Sequence, residues 1–75
     1  MDVKVVYRDG SSEIFRDVKD SDYHPDIHMF RVEYEKSYIM IPEGAVRSVG
    51  AGRIETICTV EHGRTTKTEE VFVYE

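Results

Sequence analysis

Val3, Val5 and Tyr7 alternate with polar or outward positions at the start of the chain, and Asp9-Gly10 follows directly. That pattern predicts a half-buried strand closed by a tight hairpin turn, because Gly accepts a positive φ without steric cost. The return, Glu13 to Val18, sets Ile14, Arg16 and Val18 on one side and Phe15 and Asp17 on the other. A short helix is the competing reading, since Ser12 could cap it and Ile14 and Val18 lie four apart; the turn chemistry and the neighbouring Phe15 favour a strand. Lys19 to Asp26 reads as a polar loop in which Pro25 holds His24 extended. Ile27 to Glu35 alternates again, with Phe30, Val32 and Tyr34 toward a core. Lys36-Ser37 turns the chain, and Tyr38 to Ile41 returns with Ile39 and Ile41 inward.

Pro42 to Gly50 has the look of one helical or 3₁₀ turn, with Pro near its first position, Val46 and Val49 three apart and Gly50 as its stop. A further strand from Arg53 to Val60 carries Ile54, Cys58 and Val60 on one face, His62-Gly63 turns it, and Thr66 to Tyr74 returns with Val71 and Val73 alternating. All five Thr lie between Thr56 and Thr68, around this last turn, and predict a polar hairpin tip that stands clear of the core. The whole predicts an all-β fold: a small, strongly bent antiparallel sheet, or a partly open SH3-like or OB-like barrel, of five to six strands with one short helical turn. Val5, Val32, Ile39, Ile41 and Val71 are the expected buried positions.

Composition sharpens this reading. Ten Val, six Ile and five Thr make 21 of 75 residues β-branched, while Leu, Trp, Asn and Gln are absent and Ala occurs twice, so helix interiors have little to be built from. Residues 1–75 form a single domain, since the chain is too short for two cores and an interdomain cleft. One Cys cannot make an internal bridge, no apolar run nears the ~18 residues that span a bilayer, and the start Met1-Asp2-Val3-Lys4 lacks the basic and apolar regions of a signal peptide. These features imply a soluble, cytoplasmic protein with no membrane segment.

Charge bears on partners. Fifteen acids against ten bases give a net −5, and the bases are scattered without a run, which opposes a phosphate backbone and makes nucleic acid an unlikely ligand. Residues 1–26 are the acidic end at −3, so a protein partner with a basic surface is expected. Asp22, Tyr23, His24 and Asp26 are the candidate partner-binding residues: an aromatic knob in an acidic rim. The bland alternative is a loop Tyr packed on its own hairpin.

Asp20, Asp22, His24, Asp26 and His28 fall at every second position, a spacing that could offer oxygen and imidazole donors to Zn²⁺. Pro25 bends the run, however, and no Gly fits a Ca²⁺ loop, so solvated turn residues are the better reading and no metal or other cofactor is expected. Cys58 is expected inward as a small hydrophobe rather than as a nucleophile, Ser11-Ser12 as turn residues, and Gly44, Gly50 and Gly52 as turn glycines without a phosphate-loop pattern. With so thin a core no substrate pocket is expected, and a non-enzymatic role follows.

Val3 to Val18, with its Tyr7-Arg8-Asp9-Gly10-Ser11 turn and Phe15, and the strand-Pro-turn-Val segment Ile41 to Val49 resemble small uncharacterised β proteins of phages and prophages. The resemblance implies a protein-binding module, a phage-type inhibitor that occludes a host or defence factor in the host cytoplasm, and it brings no catalytic residues. A metal-binding or nucleic-acid-binding small β-barrel is the alternative function. A homodimer joined through an edge strand of the final hairpin is also expected, because so short a chain without disulfides has little core of its own.

Overall fold

The computed structural model describes all residues 1–75. Strand β1 (Asp2–Tyr7) pairs antiparallel with β2 (Ser12–Phe15) through the expected Asp9-Gly10 turn, in which Gly10 has φ 91° and Asp9 Oδ1 accepts bonds from the Ser11 amide and hydroxyl at 2.8 and 2.6 Å. Ser11 is therefore a turn residue. Phe15 stands opposite Val3 and packs on the core, while Ile14 faces outward. Val18 is buried all the same, because Asp17 at φ 57° breaks the alternation and turns the chain inward. Reciprocal backbone bonds between Met1 and Val18, 2.7 and 3.0 Å, fix that crossing.

The segment expected as a polar loop is instead strand β3 (Asp20–His24), paired antiparallel with β4 (Met29–Glu33), which pairs in turn with β5 (Tyr38–Pro42). Its residues are polar because β3 is an edge strand with one solvated face, a setting where composition mimics that of a loop. A single 3₁₀ turn, Glu43–Ala45, leads into β6 (Val46–Glu61), which pairs with β1 and with β7 (Arg64–Tyr74). The seven strands form two antiparallel sheets, β2-β1-β6-β7 and β3-β4-β5, and do not close into a barrel.

The core lies between the sheets and consists of Val3, Val5 and Val46 from one, Val32 and Ile41 from the other, and Val18 from the crossing. Val5, Val32 and Ile41 are buried as expected. Ile39 is not: it shares the inner face with Ile41 but lies beyond the area that the larger sheet covers and remains 39% exposed. Val71 is only half-buried, because β7 is an edge strand leading out of the core.

Two expectations about residues 46–60 are corrected. The helical turn stops at Ala45, and Val46 to Gly50 belong to β6; the three-residue spacing of Val46 and Val49 comes from a bulge, where Tyr7 faces Val46, Val6 faces Ser48 and Arg47 has no opposite. A bulge shifts the side-chain alternation by one residue, so two valines three apart both point inward. Gly50 and Gly52 likewise serve a strand rather than a turn: a Cβ on Gly50 would sit 2.5 Å from the Tyr74 ring, and one on Gly52 would strike the Val73 carbonyl oxygen. Their lack of side chains lets β7 lie against β6.

At a rise of ~3.3 Å per residue, the 16 residues of β6 span ~53 Å and account for the 56 Å long axis of the molecule. The radius of gyration, 15.5 Å, exceeds the ~11 Å of a typical globule of this length. The excess is the β6–β7 ribbon, whose outer part, residues 56–70, is exposed throughout. The His62-Gly63 turn closes it with φ 52° and 75°, the paired positive values of a two-residue hairpin. Cys58 lies on this ribbon and is exposed, not a core residue, because no second layer covers β6 beyond Glu55. The structure has no helix long and apolar enough to cross a membrane.

Candidate functional site

Pairing with β4 decides which β3 side chains share a face. Asp22 stands opposite Arg31 and His24 opposite Met29, whereas Tyr23 stands opposite Phe30 on the other side. The four residues singled out in the sequence are thus divided: Asp22 and His24 on the outer face, Tyr23 on the inner face, and Asp26 in the turn after β3.

On the outer face the carboxylate of Asp22 lies 3.4 Å from Arg31 Nε and 3.2 Å from His24 Nε2. Neither nitrogen makes a hydrogen bond, although both are screened from solvent, so Asp22 meets the Arg31 guanidinium by charge without a directed bond and lies against the His24 ring. Arg31 Nη2 donates to Glu33 Oε2 at 2.7 Å, and Lys19 Nζ approaches Glu33 at 3.8 Å. The Tyr38 ring, 64% exposed, lies 6.0 Å from the Arg31 guanidinium. The outer face is therefore a lattice of charges with one exposed aromatic, Tyr38, that the sequence reading did not select. Only the cross-strand register, Asp22 to Arg31 and Glu33 to Tyr38, brings these residues together.

Tyr23 lies on the inner face, partly exposed and packed on its own β3–β4 hairpin, as the bland alternative has it, although in a strand and not a loop. Its ring packs against Phe30, tilted at 46° with centroids 4.8 Å apart, and its hydroxyl donates to Glu43 Oε2 at 2.7 Å. The same oxygen lies 3.1 Å from His28 Nδ1, which the positive φ of His28, 53°, turns toward the 3₁₀ turn. These bonds, that from Tyr23 first and that from His28 second, hold the Glu43 carboxyl below its ordinary value of 4.5. The bond to Glu43 likewise raises the Tyr23 hydroxyl above its ordinary value. A carboxylate with a depressed folded-state value contributes stability that is complete above 4.5 and lost as pH falls through the lowered value. The Tyr23→Phe chain is accordingly expected to show Glu43 titrating closer to its ordinary value than the wild type, followed by side-chain NMR shifts against pH. Equal midpoints in the two chains would refute the coupling.

The alternating Asp and His donors do not converge. His24 is drawn to Asp22 and His28 to Glu43, and no three of the His, Cys, Asp and Glu side chains gather as a metal-ligand group. An open hollow of about 180 Å³, lined by Ser21, Asp22, Tyr23, Phe30, Arg31 and Val49, lies beside β3. It is smaller than the ~300–1,000 Å³ of ordinary small-molecule pockets.

The acid is denser on the three-stranded sheet and its turns than over residues 1–26. Residues 20–43, the three-stranded sheet and its turns, hold Asp20, Asp22, Asp26, Glu33, Glu35 and Glu43 against Arg31 and Lys36, which is −4 of the chain's net −5. No protein-family model matches the chain, and no curated protein or solved structure matches it.

Proposed function

We propose that the chain is a non-enzymatic protein-binding module whose three-stranded sheet docks on a basic protein surface and occludes it. The observation that carries the reading is the concentration of −4 over residues 20–43, the sheet with its turns and Glu43 of the 3₁₀ turn, beside the exposed ring of Tyr38 and the charged pair Asp22 and Arg31. An aromatic side chain within a charged rim has the form of an interface anchor, the ring supplying buried area and the charges speeding encounter. The likeness of residues 3–18 and 41–49 to phage and prophage β proteins supports an inhibitor of a host or defence factor, acting in the host cytoplasm. The partner-binding set is Asp22, His24 and Asp26 with Tyr38 added, and Tyr23 supports the sheet from behind. A second copy of the chain is the other protein partner proposed.

The test uses the immobilised wild-type chain to recover partners from host lysate, followed by binding kinetics with the recovered protein. A single basic protein in stoichiometric amount is expected, its association slowed by salt. Tyr38→Ala should weaken it by ~1–3 kcal/mol. Asp22→Lys with Asp26→Lys should slow association and flatten the salt dependence, since rim charges act mainly on encounter. Affinity unmoved by all three changes, in chains with wild-type circular dichroism, would reject this surface.

A further inference from the structure

We propose that two copies of the chain join through antiparallel pairing of β7 with β7, in the register that has its two-fold axis at Thr68. This deepens the self-association proposed above and depends on it. The structure has four sheet edges, at β2, β7, β3 and β5. Three are poor templates for another strand: β2 has four residues, β3 carries Asp20 and Asp22, and β5 ends at Pro42, which has no amide hydrogen to donate. The fourth, β7, is 11 residues long and leaves the outward-pointing half of its backbone N–H and C=O groups unpaired. Its outer half belongs to a ribbon exposed on both faces, with Ile57 and Val60 at 49% and 61%. A two-stranded ribbon without a covering layer is marginal in water, and four strands are not.

Charge selects among the axes at residues 67–70. Directly opposed residues of an antiparallel pair share a face, so a two-fold axis normal to the sheet must pass through a residue position, and each choice fixes every pair. With the axis at Thr68, Lys67 of each copy faces Glu69 of the other, and Thr68 faces Thr68. With the axis one residue to either side, Lys67 faces Lys67 or Glu69 faces Glu69, and at Glu70 that carboxylate faces itself. Like charges directly opposed destabilise a pair, whereas opposite charges and Thr pairs stabilise it. Within one chain Lys67 and Glu69 already contact each other on the face they share with Ile57 and Thr59. Two copies would close these four charges into a square of alternating sign. The extra residue Thr66, at the bulge where Thr59 faces Lys67 and Val60 faces Thr65, confines regular pairing about Thr68 to residues 67–69 of each copy. Lys67 and Glu69 of β7 are thus complementary to the same residues of a second copy in this register.

Sedimentation velocity across a concentration series tests this, with circular dichroism to confirm folding. The wild-type chain is expected to dimerise, and Lys67→Glu alone and Glu69→Lys alone should each weaken the dimer by about tenfold or more, since two attractive pairs become repulsive. Mixing the two single variants in equal amounts should restore the dimer, because the Lys67→Glu chain then carries glutamate at both positions and faces lysine at both positions of the Glu69→Lys chain. The chain carrying both changes should dimerise as the wild type does. Mixing distinguishes this register from a mere loss of folding, since neither variant can repair the other's own ribbon. A wild type that stays monomeric would overturn self-association itself. A wild-type dimer whose single variants dimerise unchanged, or whose mixture shows no rescue, would overturn the register while leaving self-association standing.

Discussion

Shortening Val32 to Ala is expected to leave a large fraction of the chain unfolded. Val32 is fully inaccessible and, with Ile41, is what the three-stranded sheet contributes to a core of six residues. Removing two methyl groups from such a site forfeits their transfer free energy and leaves a gap, which together cost about 2 kcal/mol. A chain of this size without disulfides seldom holds more than ~3–5 kcal/mol in total. Loss of Val32 would also release the acidic sheet, because the inner face of β4 is then held by Phe30 alone. Urea unfolding followed by circular dichroism is the measurement, with Ile39→Ala on the same face as the control. The half-exposed Ile39 should cost much less. Equal midpoints for the two variants would show that the core is not where the buried residues place it.

Gly52→Ala is expected to be the other severe change, and for a different reason. The added Cβ would strike the Val73 carbonyl oxygen and approach Phe72 Cε1 to 2.9 Å. A backbone oxygen cannot move aside unless β7 moves with it, so the cost is that of separating the two strands where the ribbon leaves the core, about 3 kcal/mol. Gly50→Ala meets only the Tyr74 ring, at 2.5 Å, and a ring can swing outward. Gly44→Ala in the 3₁₀ turn meets nothing within 4 Å. The expected order of loss in urea midpoint is therefore Gly52, then Gly50, then Gly44, and adding Tyr74→Ala should relieve the Gly50 variant alone. A Gly52→Ala chain as stable as the wild type would show that β7 does not lie this close to β6.

The acidic segment shows where reading by composition stops. Asp20 to Asp26 has the residues of a solvated loop, and an edge strand with one wet face has the same residues, because what distinguishes them is the partner strand and not the chain itself. Tyr23 was legible as an aromatic among acids but not as the partner of Phe30 and Glu43, which lie seven and twenty positions further along. Tyr38 is not legible in the sequence for the converse reason. Its own neighbours are unremarkable, and only its place beside Glu33 in the β4–β5 register sets it in the charged face.

Local chemistry by itself determined the all-β class, both tight hairpins, the β1 alternation and the projecting Thr-rich tip. In each case the signal and the structure it specifies lie within a few residues: branched side chains that fit a pleated strand, glycines that take a positive φ, and polar residues with no apolar face to bury. Tertiary structure decided the rest. It divided seven strands between two sheets, let a bulge imitate a helical spacing at Val46 and Val49, left Cys58 and Ile39 outside the core, and set Asp22 and Tyr23 on opposite faces. Alternation along a strand says only that two faces differ; which of them is covered, and how far along, depends on where a second layer ends, and here that layer ends long before β6 does.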